Sequence, residues 1–203
     1  KEIILAMGYI GEARSKETAM HVIRVSKLSF LQAKKYGSSE QECDWIKDAA
    51  PMHDIGKVGI PDEILHKPGK LTDEEFEFMK KHSEWGYGVF KHSKRPLLKA
   101  SSIIAHQHHE RWDGHGYPQG LAGEDIHIYG RIVAVADVFD ALISKRCYKQ
   151  PWSPDEVREY LKSSAGTQFD PKLIEILLTN FNEAIAIVEE FKDETEVIPV
   201  YNH

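Results

Sequence analysis

The sequence predicts an all-α fold on three observations. Apolar residues recur at helical spacing over most of the chain, helix-start signatures appear repeatedly, and no stretch alternates strictly enough between turn signals to require a sheet. Its 203 residues fit one sizeable domain or two small ones, and either can bury a core. With 41% hydrophobic and 29% charged residues, the composition excludes disordered and collagen-like classes.

Each element has its own signal. Lys1 to Ala13 reads as a helix with Ile3, Ile4, Met7 and Ile10 on one face. After the polar break Arg14-Ser15-Lys16, a second helix runs from about Glu17 to Tyr36, with an apolar stripe through Met20, Ile23, Leu28 and Leu31, and stops at Gly37. Ser39 with Glu42, Thr72 with Glu75 and Ser153 with Glu156 form capping boxes, in which hydroxyl and carboxylate each satisfy a free backbone N–H. The helix begun at Thr72 is expected to end at His82, and the apolar segment Ala100 to Ala105 leads to His108. Pro154 and Pro171 sit at first helical positions, where a missing N–H costs nothing. The last helices then cover about Pro154 to Ser163 and Pro171 to Phe191, joined by Ser164 to Phe169, and Val197 to Tyr201 reads as a short extended tail. Two long loops, Lys57 to Leu71 and Arg111 to Tyr129, carry most of the mid-chain glycines and prolines, and such loops inside a compact helical domain are usually functional.

Several function classes drop out. The longest apolar runs, Ile132 to Ala136 and Ala184 to Val188, fall far short of the roughly 18 to 20 residues that cross a bilayer. A net charge of -6 argues against a nucleic-acid polymer as partner. Cys43 and Cys147 are isolated, with no CxxC spacing, which points to a reducing, cytoplasmic setting without a structural disulfide. No secretory signal is visible, and a start at Lys1 rather than Met reads as a piece of a longer protein. The expected organisation is one domain over 1–203, with 1–14 a linker or leading helix from an upstream module; an exposed apolar face there would fit a homodimer or pairing with an upstream segment.

The unusual feature is histidine, 11 residues, several beside acids. Glu17 and His21 lie four apart on one helix face, suited to joint metal ligation, with a solvated ion pair as the competing account. His53-Asp54 can ligate one ion through the imidazole and bridge two through the carboxylate, with Gly56 and Gly59 allowing close backbone approach and Lys57 one turn on. His82 alone carries little, whereas the pair His108-His109 at the end of an apolar segment is hard to explain as surface decoration. Asp137 sits in the run Arg131 to Phe139, which is apolar on all sides, so a buried carboxylate needing a metal or a cationic partner is expected. Glu17, His21, His53, Asp54, His82, His108, His109 and Asp137 therefore form a candidate set for two or three cations. Imidazole and carboxylate without thiolate suit iron, manganese or other borderline ions. Two such ions about 3.5–4 Å apart can activate a water and hold both oxygens of a phosphoryl displacement. Lys57, Arg146 and Lys149 would meet the phosphate, although helix-end charges explain the latter two equally well.

His53-Asp54-Ile55-Gly56-Lys57 followed by His108-His109-Glu110-Arg111-Trp112-Asp113-Gly114-His115-Gly116-Tyr117-Pro118 resembles the HD-GYP family of the HD-domain superfamily, over about Glu17 to Phe169. The resemblance implies an HD helical core with added C-terminal helices and bacterial phosphodiesterase activity on cyclic di-GMP or cyclic GMP-AMP. It implies His21, His53, Asp54, His82, His108, His109 and Asp137 as metal ligands, and Glu17 as the extra acid of members with a third ion. Lys57 then stands near the scissile phosphate, Arg146 and Lys149 contact substrate phosphate, and Tyr117 in the Gly114–Pro118 loop faces ligand or a partner protein. The competing functions are another HD-type nucleotide phosphohydrolase, a di-iron oxygenase, or a non-catalytic sensor of the dinucleotide. Of the other histidines, His66, His92, His127 and His203 read as solvated, while His106 is expected on the helix leading to the pair and His115 in the loop, with support of a ligand from behind as the competing account.

Overall fold

Helix caps and apolar periodicity produce ten α-helices in the computed structural model, which describes residues 2–15, 18–144 and 151–193. In chain order these are α1 (Glu2–Ala13), α2 (Ala19–Tyr36), α3 (Glu40–Ala49), α4 (Asp62–Leu65), α5 (Asp73–Phe90), α6 (Pro96–Gln107), α7 (Ile128–Ile143), α8 (Pro154–Ser164), α9 (Pro171–Thr179) and α10 (Phe181–Glu190). Short 3₁₀ turns occupy Ala50–Met52, Ile55–Gly59 and Gly123–Asp125. Only two isolated β-bridges occur among the described residues, Asp113 with Ala122 and Ala165 with Phe169, so the all-α expectation holds. All three capping boxes form, with both hydrogen bonds in each.

The main core is built on α2, α3, α6 and α7, with α8, α9 and α10 closing one side. Leu28, Ile46, Ile104, Ile132, Phe139, Leu161, Leu173 and Phe181 are all fully buried in it. Phe139 and Phe181 meet edge to face at 5.6 Å, which ties α10 to α7. A smaller cluster of Met52, Ile55 and Phe90 lies beneath α1, which covers it with Ile4 and Met7.

Several boundaries differ from the sequence reading. The helix expected to stop at His82 continues to Phe90, so His82 projects from mid-helix. The stretch from Pro171 breaks into two helices at Asn180, whose side-chain amide donates to the Ile176 carbonyl at 2.8 Å and ends α9. The Lys57–Leu71 loop contains the end of a 3₁₀ turn and the short α4. On α1, Ile4 and Met7 pack inward while Ile3 and Ile10 are exposed. On α2 the buried residues are His21, Val22, Arg24, Val25, Ser26, Leu28, Ser29, Gln32 and Ala33, so of the expected stripe only Leu28 is fully buried. That face is polar because it serves a site as well as a core. Val197 to Tyr201, His203 and Cys147 lie outside the described residues.

Candidate metal centre

Four segments deliver imidazoles to one place: α2 brings His21, the turn after α3 His53, α5 His82, and the end of α6 His108 and His109. The backbone sets their orientation. His53 Nδ1 donates to the Ala50 carbonyl at 2.9 Å, His82 Nδ1 to Met79 at 2.8 Å, and His108 Nδ1 to Ile104 at 3.0 Å. Each i−3 or i−4 carbonyl accepts the Nδ1–H and so turns Nε2 inward, toward the acids of the site. His21 reaches the same state differently, with Nδ1 donating to Asp140 Oδ2 at 2.8 Å.

Asp54 stands between two groups of ligands. Its Oδ1 lies 3.2 Å from His82 Nε2 and 3.6 Å from His108 Nε2, while Oδ2 lies 3.4 Å from His53 Nε2 and pairs with Lys57. The close approach depends on Gly56, where a Cβ would come within 1.9 Å of the His82 carbonyl oxygen. His109 sits 3.9 Å from the His108 ring and stacks beneath Tyr117 at 4.7 Å. Asp137 Oδ1 lies 3.5 Å from His21 Nε2 and 4.0 Å from His53 Nε2. Two sets therefore have ligand atoms close enough for one ion each: Asp54, His82, His108 and His109, and Glu12, His21 and His53.

The charge pattern favours cations. Burial pushes the His53 pKa down, but Asp54, Asp137 and Glu12 outweigh that and bring it up to about 10. A site that holds a proton this firmly favours any positive charge placed among its acids. Burial pushes Asp54 up, and the charges of Lys57 and then His53 reverse this, holding it well below the usual carboxylate range. Burial, then the neighbouring His108 and His82, drives His109 well below the ordinary imidazole value, so it is neutral and free to ligate. Buried Nε2 atoms of His53 and His108, Asp54 Oδ1 and Glu12 Oε1 have no hydrogen-bond partner. A cation among them would satisfy all four, so the residues fit the expected metals.

The sequence-predicted residues His21, His53, Asp54, Lys57, His82, His108, His109, Tyr117 and Asp137 all converge here. Glu17, Arg146 and Lys149 lie outside the described residues, and α7 ends at Ile143. The expectation that Asp137 is buried needs correcting: its side chain is 20% exposed. The fully buried carboxylate of α7 is Asp140, 1% exposed, and its partners are His21 and the forked Arg24, at 2.6 Å to Nε. Glu12, Arg24 and Asp140 are the residues missed by sequence reasoning; the apolar periodicity of α7 could have flagged Asp140 as easily as Asp137. His106 stacks on Tyr87 at 4.2 Å and His115 is 84% exposed; neither contacts a ligand histidine. His127 is exposed and accepts from the Tyr129 N–H at the start of α7, while His66 is half-buried beside Asp62.

A profile described as HD domain matches residues 10–173. The 3'3'-cGAMP-specific phosphodiesterase 2 of Vibrio cholerae is 50% identical over 193 residues, covering 95% of this chain and 37% of that protein. A cyclic di-GMP phosphodiesterase of Thermotoga maritima is 45% identical over 193 residues, covering 95% of this chain and 52% of that protein. The chain thus spans about half the length of these relatives or less. Among solved structures, a cyclic GMP-AMP-specific phosphodiesterase of V. cholerae superposes with a TM-score of 0.69 at 19% identity, over 94% of this chain and 51% of that one, a likeness of fold. With an inward-facing set of histidines around Asp54 and a profile match over most of its length, the chain belongs to the HD domain family and carries the HD-GYP motifs read from its sequence.

Proposed function

We propose that the chain is a catalytic domain that hydrolyses the 3',5'-phosphodiester bonds of a cyclic dinucleotide, cyclic di-GMP or 3',3'-cyclic GMP-AMP, with two or three divalent cations, iron or manganese by ligand chemistry. The observation that carries this reading is the Asp54 carboxylate spread between two groups of inward-facing imidazoles, with an ammonium against it. The substrate class follows from the names of relatives at 50% and 45% identity.

Bound cations supply an activated water and neutralise charge on the phosphate oxygens. His21, His53, His82, His108, His109, Asp54 and Asp137 hold them, with Glu17 as the extra acid expected from the resemblance. Lys57 remains charged because, against the cost of its burial, Asp54, Glu12 and Asp137 hold its pKa above the ordinary lysine value. Its ammonium, preorganised beside Asp54, donates to a non-bridging phosphate oxygen as charge develops there. Such a preplaced donor contributes about 10²–10³ in rate. Burial raises the Tyr117 pKa, so the phenol keeps its proton and can donate to the substrate beside His109. Arg146 and Lys149 are the further contacts to substrate phosphate that the resemblance implies. The domain spans 1–203 with 1–14 leading in from an upstream module, works in the bacterial cytoplasm, and offers the Gly114–Pro118 loop to a protein partner. No helix among the described residues is long and apolar enough to cross a membrane.

The test is chromatography of products after metal-loaded protein meets cyclic di-GMP and cyclic GMP-AMP side by side without oxygen. Linear dinucleotide or mononucleotides are expected from at least one, and Lys57→Ala should slow their release by about 10²-fold. Tight binding without turnover would make the chain a sensor instead.

A further inference from the structure

The leading helix carries an acid that neither the motifs nor the apolar pattern singles out. Glu12, on the last turn of α1, is 1% exposed. Its Oε2 accepts from Ser15 Oγ at 2.7 Å, while Oε1 is buried without a hydrogen-bond partner and lies 3.7 Å from His53 Nε2. A buried carboxylate oxygen left without a hydrogen bond is costly in general, and a bound cation would remove that cost. The ligand atoms of Glu12, His21 and His53 lie within 4.8 Å of one another.

The placement of α1 is specific. A Cβ at Gly8 would stand 2.7 Å from the Pro51 carbonyl oxygen, so the helix backbone lies directly on the turn that precedes His53. Past the helix, the Arg14 guanidinium hydrogen-bonds the Val58 carbonyl, within the turn that carries Lys57, and beyond it the Ile60 carbonyl at 3.1 Å and Asp62 at 2.6 Å. Contacts on both sides of Glu12 thus hold it at the centre.

We infer that Glu12 is a metal ligand, completing with His21 and His53 a cation position that exists only while α1 is docked. This rests on the metal-centre reading above and adds to it a dependence on the leading helix. Displacing α1 would withdraw a carboxylate and weaken one ion while leaving the Asp54, His82, His108 and His109 position intact.

The experiment is calorimetric titration of Mn²⁺ into the full chain stripped of metal, with thermal melts of stripped and loaded protein, for wild type, Glu12→Gln and Glu17→Gln. Glu12→Gln is expected to weaken one Mn²⁺ site by about tenfold or more and leave the other unchanged. The rise in Tm on loading should be smaller for Glu12→Gln than for wild type, because one ion binds the folded variant less tightly. An unchanged titration for Glu12→Gln, an undiminished rise in Tm on loading, or weakening confined to Glu17→Gln would each overturn the assignment. Wild type that binds no Mn²⁺ would overturn the metal-centre reading itself, a result distinct from the other three.

Discussion

Asp140 shows how much of the site is decided one atom away from the ligands. It accepts from His21 Nδ1 at 2.8 Å and is forked by Arg24, all three groups being buried. Asp140→Ala removes the carboxylate shared by His21 and Arg24 but leaves Arg24 the Phe191 carbonyl at 3.0 Å and Asp193 at 3.3 Å, so stability in urea titration should fall by about 1–3 kcal/mol. Asp140→Asn keeps the shape but weakens the hold on the His21 tautomer, and should reduce metal affinity by about 10–100-fold. An affinity unchanged in Asp140→Asn would mean that His21 orients itself unaided. At this scale, legibility follows sequence distance. His53-Asp54 and His108-His109 are visible because neighbours in the chain are neighbours in the site. Arg24 and Asp140 are separated by 116 residues, and nothing local in either sequence announces the pair. The burial argument for Asp137 applies to Asp140 instead, since both lie on one apolar helix and only the fold decides which is enclosed.

Among the elements, helix starts were the most legible, because a capping box is encoded within four residues. Glu42, Glu75 and Glu156 each have their pKa lowered, first by hydrogen bonds from the capping Ser or Thr or, for Glu75, from Lys67. A carboxylate whose folded pKa lies below its unfolded value of about 4.3 stabilises the fold above that value, and the contribution is lost as pH falls through the folded pKa. Urea midpoints should therefore fall on acidification below about pH 5, and the triple variant Glu42→Gln, Glu75→Gln, Glu156→Gln should show a shallower fall. Equal acid slopes for variant and wild type would remove the boxes from the account. Helix ends were less legible. Asn180 interrupts α9 and α10 without a glycine or proline, through a side-chain hydrogen bond that the continuing apolar period conceals. On α2 the stripe was displaced because His21, Ser29 and Gln32 are buried there as polar groups, so apolarity alone misplaces the inward face.

For the whole molecule, the large core under α7 holds the scaffold, while the centre sits where that scaffold meets the small cluster beneath α1. The all-α class and the two glycine-rich loops were readable from periodicity and turn residues. The convergence of ligands was readable only through the HD-GYP resemblance, because it depends on how α2, α5, α6 and α7 pack. That convergence is the central claim: Asp54 divides the ligands into two cation positions sharing one carboxylate. Anomalous diffraction at the iron and manganese edges, on crystals grown without chelator, tests it directly. The account predicts at least two peaks about 3.5–4 Å apart, on either side of the Asp54 carboxylate. Absence of peaks there, or a single ion held by His82, His108 and His109 with Asp54 bound on one side only, would contradict it.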